Sequence, residues 1–268
     1  MPHAYKGKTE GAMEFLNREL KLDGMEIEFV RGVYMKEPQA EALGKAAKEN
    51  GLTLTVHAPY YINLNSEKKQ TIGMSKSFIF ESARIGAIAG AKSICFHAGY
   101  YVNKAPKETY ENMKKEIGIV LDRMKAEGVK TMLAPEVSGK KSQFGSLDEV
   151  IALGKELKGV QPCIDFAHLH ARTNGGMTTQ AEFEGVLKQL PKKWLDFLHI
   201  HLSGMNFGDK GEKNHLVFDD PANRFSFKPA IDAFKKFNVR GVIVCESPNI
   251  EEDAEKMKKY YRAGGPRG

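Results

Sequence analysis

The stretch LTLTVHAPY, Leu52–Tyr60, decides how the rest of the chain is read. It is a short, nearly continuous apolar and β-branched run, opened after Gly51 and stopped at Pro59. A parallel strand covered on both faces has this signature. Its C-terminal end is a histidine, His57. Six more runs repeat the pattern: MEIEFVRG from Met25, AKSICFHAG from Ala91, KTMLAPEV from Lys130, VQPCIDFAH from Val160, FLHIHLSG from Phe197 and GVIVCES from Gly241. Helical stretches lie between them. Glu37 to Asn50 ends in Asn-Gly, a helix stop. Gln70 to Gly90 is rich in Ala and Gly, and Lys107 to Gly128 carries an apolar stripe at Met113, Ile117, Val120, Leu121 and Met124. Ser146 with Glu149 three residues on makes a capping box. Thr179 to Leu190, Phe227 to Phe237 and Glu251 to Tyr261 complete the set.

Strand starts recur every roughly 30 to 45 residues, the pitch of a βα unit. Strict alternation predicts an α/β fold, a TIM (β/α)8 barrel formed by one domain over residues 1–268. A doubly wound sheet is the competing arrangement. A barrel opens on a strand, whereas this chain enters a helical pattern by Thr9. The first strand is therefore expected to be absent or degenerate.

Composition narrows the classes further. Apolar residues make up 41% and charged residues 28% of 268, which excludes a fibrous or wholly disordered chain. No apolar run approaches a membrane span and no secretory leader is visible, so a cytoplasmic protein without membrane contact is expected. Forty Lys and Arg against 34 Asp and Glu leave a net charge of +6, compatible with a polyanion partner. Cys95, Cys163 and Cys245 sit in apolar runs without a CxxC pair, and read as buried small hydrophobes in a reducing compartment.

The chemistry lies at the strand ends, where a βα barrel keeps its site. The runs end in or carry His57, His97, Glu136, Asp165, His168, His201 and Glu246, and His215 follows in a long loop. One histidine on an apolar strand is ordinarily a satisfied core residue. So many titratable groups at one level are costly to bury unless divalent cations compensate them. Imidazole with carboxylate suits Zn2+, with Mn2+ or Fe2+ as alternatives. The donors outnumber what one ion takes, so two or three ions are expected. Clustered ions are the usual apparatus for phosphoester cleavage. Strand alternation or loop position turns His170 and His199 away from the mouth, as supporting residues.

HAPYYINL from His57, FHAG from Phe96, PEV from Pro135, IDFAH from Ile164, HIHLSG from His199 and CESP from Cys245 resemble, in order, the motifs of the endonuclease IV family of apurinic/apyrimidinic endonucleases. The resemblance runs from about Glu28 to Tyr261, and the variant pattern is closer to the archaeal branch. It implies a xylose-isomerase-like TIM barrel with a zinc centre that cuts double-stranded DNA 5′ to an abasic site, leaving a 3′-hydroxyl. It further implies His57, His97 and Glu136 on one ion, and Glu136, Asp165, His201 and Glu246 on a second. His168 and His215 would hold a third. Glu136, Glu246 and His97 stand as the catalytic group. Tyr60 matches the family's DNA wedge, with Tyr61 beside it. Arg31, Arg172 and further basic residues in mouth-side loops (Lys104, Lys140, Lys141, Lys210) would meet DNA phosphates. The family resemblance implies a monomer.

One departure stands out. Lys213 occupies the place of the family's third-ion aspartate, in GEKNH. Either Glu212 replaces that ligand through a shifted loop, or the third site is weak and Lys213 binds phosphate as a point charge. Two further readings follow from the residues. One is a xylose-isomerase-like sugar isomerase or epimerase with one or two divalent metals, built on Glu136, Asp165, His201 and Glu246. The other is a non-catalytic DNA-lesion binder.

Overall fold

The computed structural model describes residues 3–264. Its elements run α1 (Thr9–Arg18), β1 (Gly24–Glu28), α2 (Glu37–Glu49), β2 (Thr53–His57), α3 (Lys69–Ile88), β3 (Ser93–Phe96), α4 (Pro106–Ala126), β4 (Met132–Pro135), α5 (Leu147–Glu156), β5 (Cys163–Asp165), α6 (Phe166–Arg172), α7 (Gln180–Gln189), β6 (Leu198–Leu202), β7 (Gly204–Gly208), β8 (Gly211–Leu216), α8 (Phe227–Lys236), β9 (Gly241–Cys245) and α9 (Glu251–Ala263). Strands β1 to β4 pair in sequence order and in parallel. Parallel bridges Leu133–Val160 and Glu136–Cys163 join β4 to the β5 side, and β5–β6–β9 continues in parallel. This is the expected α/β barrel architecture. Among the described residues no strand precedes β1; α1 packs on α2 instead. Strands β1 and β9, which would flank a first strand, are also the least covered of the parallel strands.

Side-chain alternation divides the strands into two faces. Leu54, Val56, Ile94, Phe96 and Leu133 join one apolar cluster against the helices. Ile164, Leu198, Ile200 and Leu202 join the other, with Phe166 between Phe183 and Phe234 at 5.3 Å each. The alternate positions, such as His57, Cys95, Glu136, Asp165, His199 and His201, are buried outside those two clusters and converge on one another. They form the barrel interior. His199 and His201 are two residues apart and so share this inner face. His199 nevertheless lies off the cleft lining, away from the mouth as expected; alternation is not the reason, because a strand's period of two puts i and i+2 on the same side.

Helix signals in the sequence hold where caps are local. Ser146 Oγ accepts from Glu149 N–H, and the Glu149 carboxylate accepts from Ser146 N–H at 2.9 Å. Two elements come from outside that pattern. Helix α6 starts directly at the end of β5, capped by Asp165, whose Oδ1 accepts from His168 N–H at 2.6 Å. The long loop after β6 folds into an antiparallel hairpin, β7–β8. Among the described residues no helix is long and apolar enough to cross a membrane.

Candidate metal centre

The strand ends and the β7–β8 hairpin enclose a cleft of about 420 Å³, lined by His57, Tyr60, His97, His168, Glu212, His215 and Glu246 among others. Glu136 lies at its base with a fully buried side chain. Three donor groups meet there. His57, His97 and Glu136 form one; Glu136, Asp165, His168 and Glu246 a second; His168, Glu212 and His215 a third. His57 Nε2 and His97 Nε2 each stand 3.3 Å from Glu136 Oε2. His201 Nδ1 stands 3.1 Å from Glu136 Oε1 and 3.2 Å from Glu246 Oε1.

The second nitrogen of each ring explains why the first is presented. His57 Nδ1 faces the Ala58 carbonyl at 2.8 Å, and His168 Nδ1 faces the Val137 carbonyl at 3.0 Å. A carbonyl only accepts, so both rings carry their proton on Nδ1 and turn Nε2 inward. His97 Nδ1 rests on Ser138 Oγ at 3.4 Å, and His215 Nδ1 on Ser203 Oγ at 2.9 Å. Such anchoring orients metal-ligating histidines. The inward Nε2 atoms then face carboxylate oxygens and one another, an arrangement that needs a proton or a cation between them. Asp165 Oδ2 is likewise buried without a hydrogen-bond partner. The donor set fits divalent ions of the imidazole-and-carboxylate class.

Electrostatics agree. Burial works against charge on His57, but the Glu136 hydrogen bond and the Glu28 and Glu26 carboxylates raise its pKa to about 10. His97 is pushed by burial down to about 4, and so stands unprotonated at neutrality. Burial opposes ionisation of Glu246, yet His201 beside it lowers its carboxyl to about 2. Glu136 is held well below the usual carboxylate range by His97 and His201 against the cost of burial. Burial raises Asp165, with Glu246 and Glu136 adding to it.

The hairpin decides between Lys213 and Glu212. Asn206 pairs with Asn214 and Phe207 with Glu212, so Lys213 is an extra residue, a β-bulge. In a regular strand Lys213 would share a face with His215. The bulge shifts the alternation by one and brings Glu212 to the His215 side. Glu212 Oε2 lies 3.5 Å from His168 Nε2, which lies 3.3 Å from His215 Nε2. Lys213, read from the sequence as a possible point charge for phosphate, is exposed beside Gly208 and off the cleft lining. The hairpin comes this close because residue 139 is glycine: a Cβ there would lie 2.7 Å from Glu212 Cβ.

The residues assigned to DNA separate into groups. Tyr60 and Tyr61 are 52% and 57% exposed on the mouth side; Tyr60 lines the cleft, its ring 5.2 Å from His57, and its hydroxyl donates to Glu28 at 3.2 Å. Arg31 is exposed in the loop after β1. Arg172 is turned to another task. Its guanidinium donates to the carbonyls of Ser138, Lys140 and Gln143 and to the Tyr101 hydroxyl, clamping the loop after β4. A guanidinium engaged with four acceptors of its own chain is a poor phosphate contact. His170, buried between Phe207 and Phe225, serves the core.

Glu26, Glu28, Tyr100 and Gln143 escaped the sequence reading. Tyr100 and Gln143 line the cleft. Glu26 and Glu28 were legible as an i, i+2 acidic pair on a strand, which places them on one face.

Comparison with known proteins places this geometry. The family model of xylose isomerase-like TIM barrels matches residues 16–263. An uncharacterized protein of Methanocaldococcus jannaschii is 38% identical over 248 residues, covering 91% of this chain and 89% of its own. A probable endonuclease 4 of Bacillus mycoides is 30% identical over 255 residues, covering 85% of this chain and 78% of its own. Among solved structures, endonuclease IV from Thermus thermophilus superposes with a TM-score of 0.73 at 18% identity, over 98% of each chain. A D-tagatose 3-epimerase-like protein does so with 0.71 at 18% identity, over 90% of this chain and 88% of its own. The chain belongs to the xylose isomerase-like TIM barrels, within the endonuclease IV family.

Proposed function

We propose that the chain is a metal-dependent endonuclease that cuts the phosphodiester 5′ to abasic sites in double-stranded DNA and leaves a 3′-hydroxyl. The observation that carries this reading is the third donor group. A sugar isomerase or epimerase of this fold needs the core of Glu136, Asp165, His201 and Glu246. Here His57, His97, His168, Glu212 and His215 extend the donors across the mouth. His57, His97 and Glu136 would hold one zinc, and Glu136, Asp165, His201 and Glu246 a second. His168, Glu212 and His215 would hold the third. Bound divalent ions acidify a water and neutralise charge on a phosphodiester.

The chain's own residues do the rest. Glu136 offers one carboxylate oxygen to each side of the centre. The two backbone carbonyls keep His57 and His168 in the presenting tautomer, and Ser138 and Ser203 hold the rings of His97 and His215 in place. Tyr60 and Tyr61, exposed beside the cleft, supply aromatic faces for a bent duplex. Arg31 and the lysines of the mouth loops supply positive charge for phosphates. The relatives named endonuclease 4 support this reading, and a monomer in the cytoplasm is its simplest setting.

The test is a duplex with one tetrahydrofuran abasic analogue, which β-elimination cannot cut. The expected product is a nick directly 5′ to the analogue, lost in Glu136→Ala. Folded, metal-loaded protein that leaves the duplex intact overturns the reading. Lesion binding without a nick would mark a non-catalytic binder, and turnover of a ketose a sugar epimerase.

A further inference from the structure

One polar group of the barrel interior is not used by the mouth centre. Below His201, away from the cleft, Glu26 and His199 meet the other nitrogen of its ring, Nε2, and Cys163 and Cys95 lie beside the same histidine, Cys95 with its Sγ also 3.5 Å from Glu136 Oε2. Glu26 Oε2 lies 2.9 Å from His199 Nε2, and Glu26 Oε1 lies 3.0 Å from His201 Nε2. The two Nε2 atoms are 3.2 Å apart. Cys95 Sγ, Cys163 Sγ and a His201 nitrogen make a second donor group that overlaps the first. The His199, His201 and Glu26 side chains are at most 2% exposed, and both cysteines are fully buried.

We propose that this barrel floor is a separate site for a divalent ion of the zinc class, held by Glu26, His199, the Nε2 of His201 and the Cys163 thiolate, with Cys95 beside them. Three observations carry it. First, His199 is anchored as the mouth histidines are. Its Nδ1 meets Ser93 Oγ at 2.9 Å, as His97 meets Ser138 and His215 meets Ser203, which leaves Nε2 presented. Second, both Glu26 oxygens are buried and neither has a hydrogen-bond partner, although two ring nitrogens stand about 3 Å away. The carboxylate has the proximity of a ligand without the alignment of an acceptor. Third, the nitrogen and oxygen atoms are 2.9–3.2 Å apart, close to the edge of a tetrahedron around an ion with roughly 2.0–2.1 Å bonds. A thiolate completes a donor set that favours zinc over magnesium or calcium.

With both centres filled, His201 bridges them through its two nitrogens. Binding at the floor then releases the Nε2 proton of His201 and the thiol proton of Cys163 to solvent. The inference depends on the mouth reading only in naming His201 as a shared residue. Its test is a metal count and an absorption spectrum, neither of which requires nicking activity.

The protein is purified with its metals and the zinc per chain is measured for the unaltered chain, His199→Ala and Cys163→Ser. Each variant is expected to lose one ion per chain. The cobalt-reconstituted unaltered chain is expected to show thiolate-to-cobalt charge-transfer absorption, lost in Cys163→Ser, because the mouth donors include no sulfur. Glu26→Gln, which preserves shape, is a third variant with the same expected loss of one ion. An unchanged count in folded variants overturns the proposal. So does a cobalt spectrum of the unaltered chain without a thiolate band, a result that stands even if every variant fails to fold. A floor filled with a nuclease-inactive mouth would reject the proposed function alone.

Discussion

At the residue scale, the centre is a competition between protons and cations for the same nitrogens. His57 holds its extra proton up to about pH 10 because Glu136 accepts it. A cation at that Nε2 must displace the proton. Zinc binding at neutral pH is therefore expected to release protons. Apparent affinity should rise with pH between 7 and about 10, by up to about tenfold per unit for one proton displaced. Chelator competition across that window measures it, and a flat profile would contradict the assignment of His57. Neighbouring Glu212 and Lys213 make a sharper pair. Glu212→Ala should remove a donor from the third group and lower its ion content. Lys213→Ala should leave metal content unchanged, because the bulge turns that side chain off the cleft. Equal losses in both variants would mean that the hairpin register differs in solution.

At the scale of elements, the loop after β4 is held by a relay as well as by its own turns. Arg172, the last residue of α6, donates to three of its carbonyls and to Tyr101, and the Tyr101 hydroxyl donates to Glu149 of the α5 capping box at 2.9 Å. Arg172→Ala leaves several carbonyls without their charged donor. We expect a loss of about 2–4 kcal/mol in denaturant unfolding, since each hydrogen bond to a charged group contributes roughly 1.5–3 kcal/mol and part of this one is solvated. Arg172→Lys should recover little, because one ammonium cannot span the fork. A variant as stable as the parent would return Arg172 to the list of free cations for DNA.

At the scale of the whole molecule, the barrel carries a polar axis inside an apolar shell. Glu136 and Asp165 have no exposed side-chain surface, and such charges cost several kcal/mol each unless compensated. Removing metal with a chelator should therefore lower the melting temperature, and re-added zinc should restore it. A melting temperature indifferent to chelation would show that protons alone neutralise the interior. Much of this was legible along the chain. The seven strand runs, the helix stripes between them and the Ser146 capping box are local patterns, and they determined the fold class. The strand-end histidines and carboxylates were legible because a parallel barrel brings all C-terminal strand ends to one face. Tertiary structure alone decided what depends on register and on partners distant in sequence. The Lys213 bulge exists only against the facing β7 strand. Arg172 is spent on carbonyls some 30 residues away. Glu26, from β1, meets His199 and His201, from β6, only when the sheet curls round, so no sequence window contains that cluster.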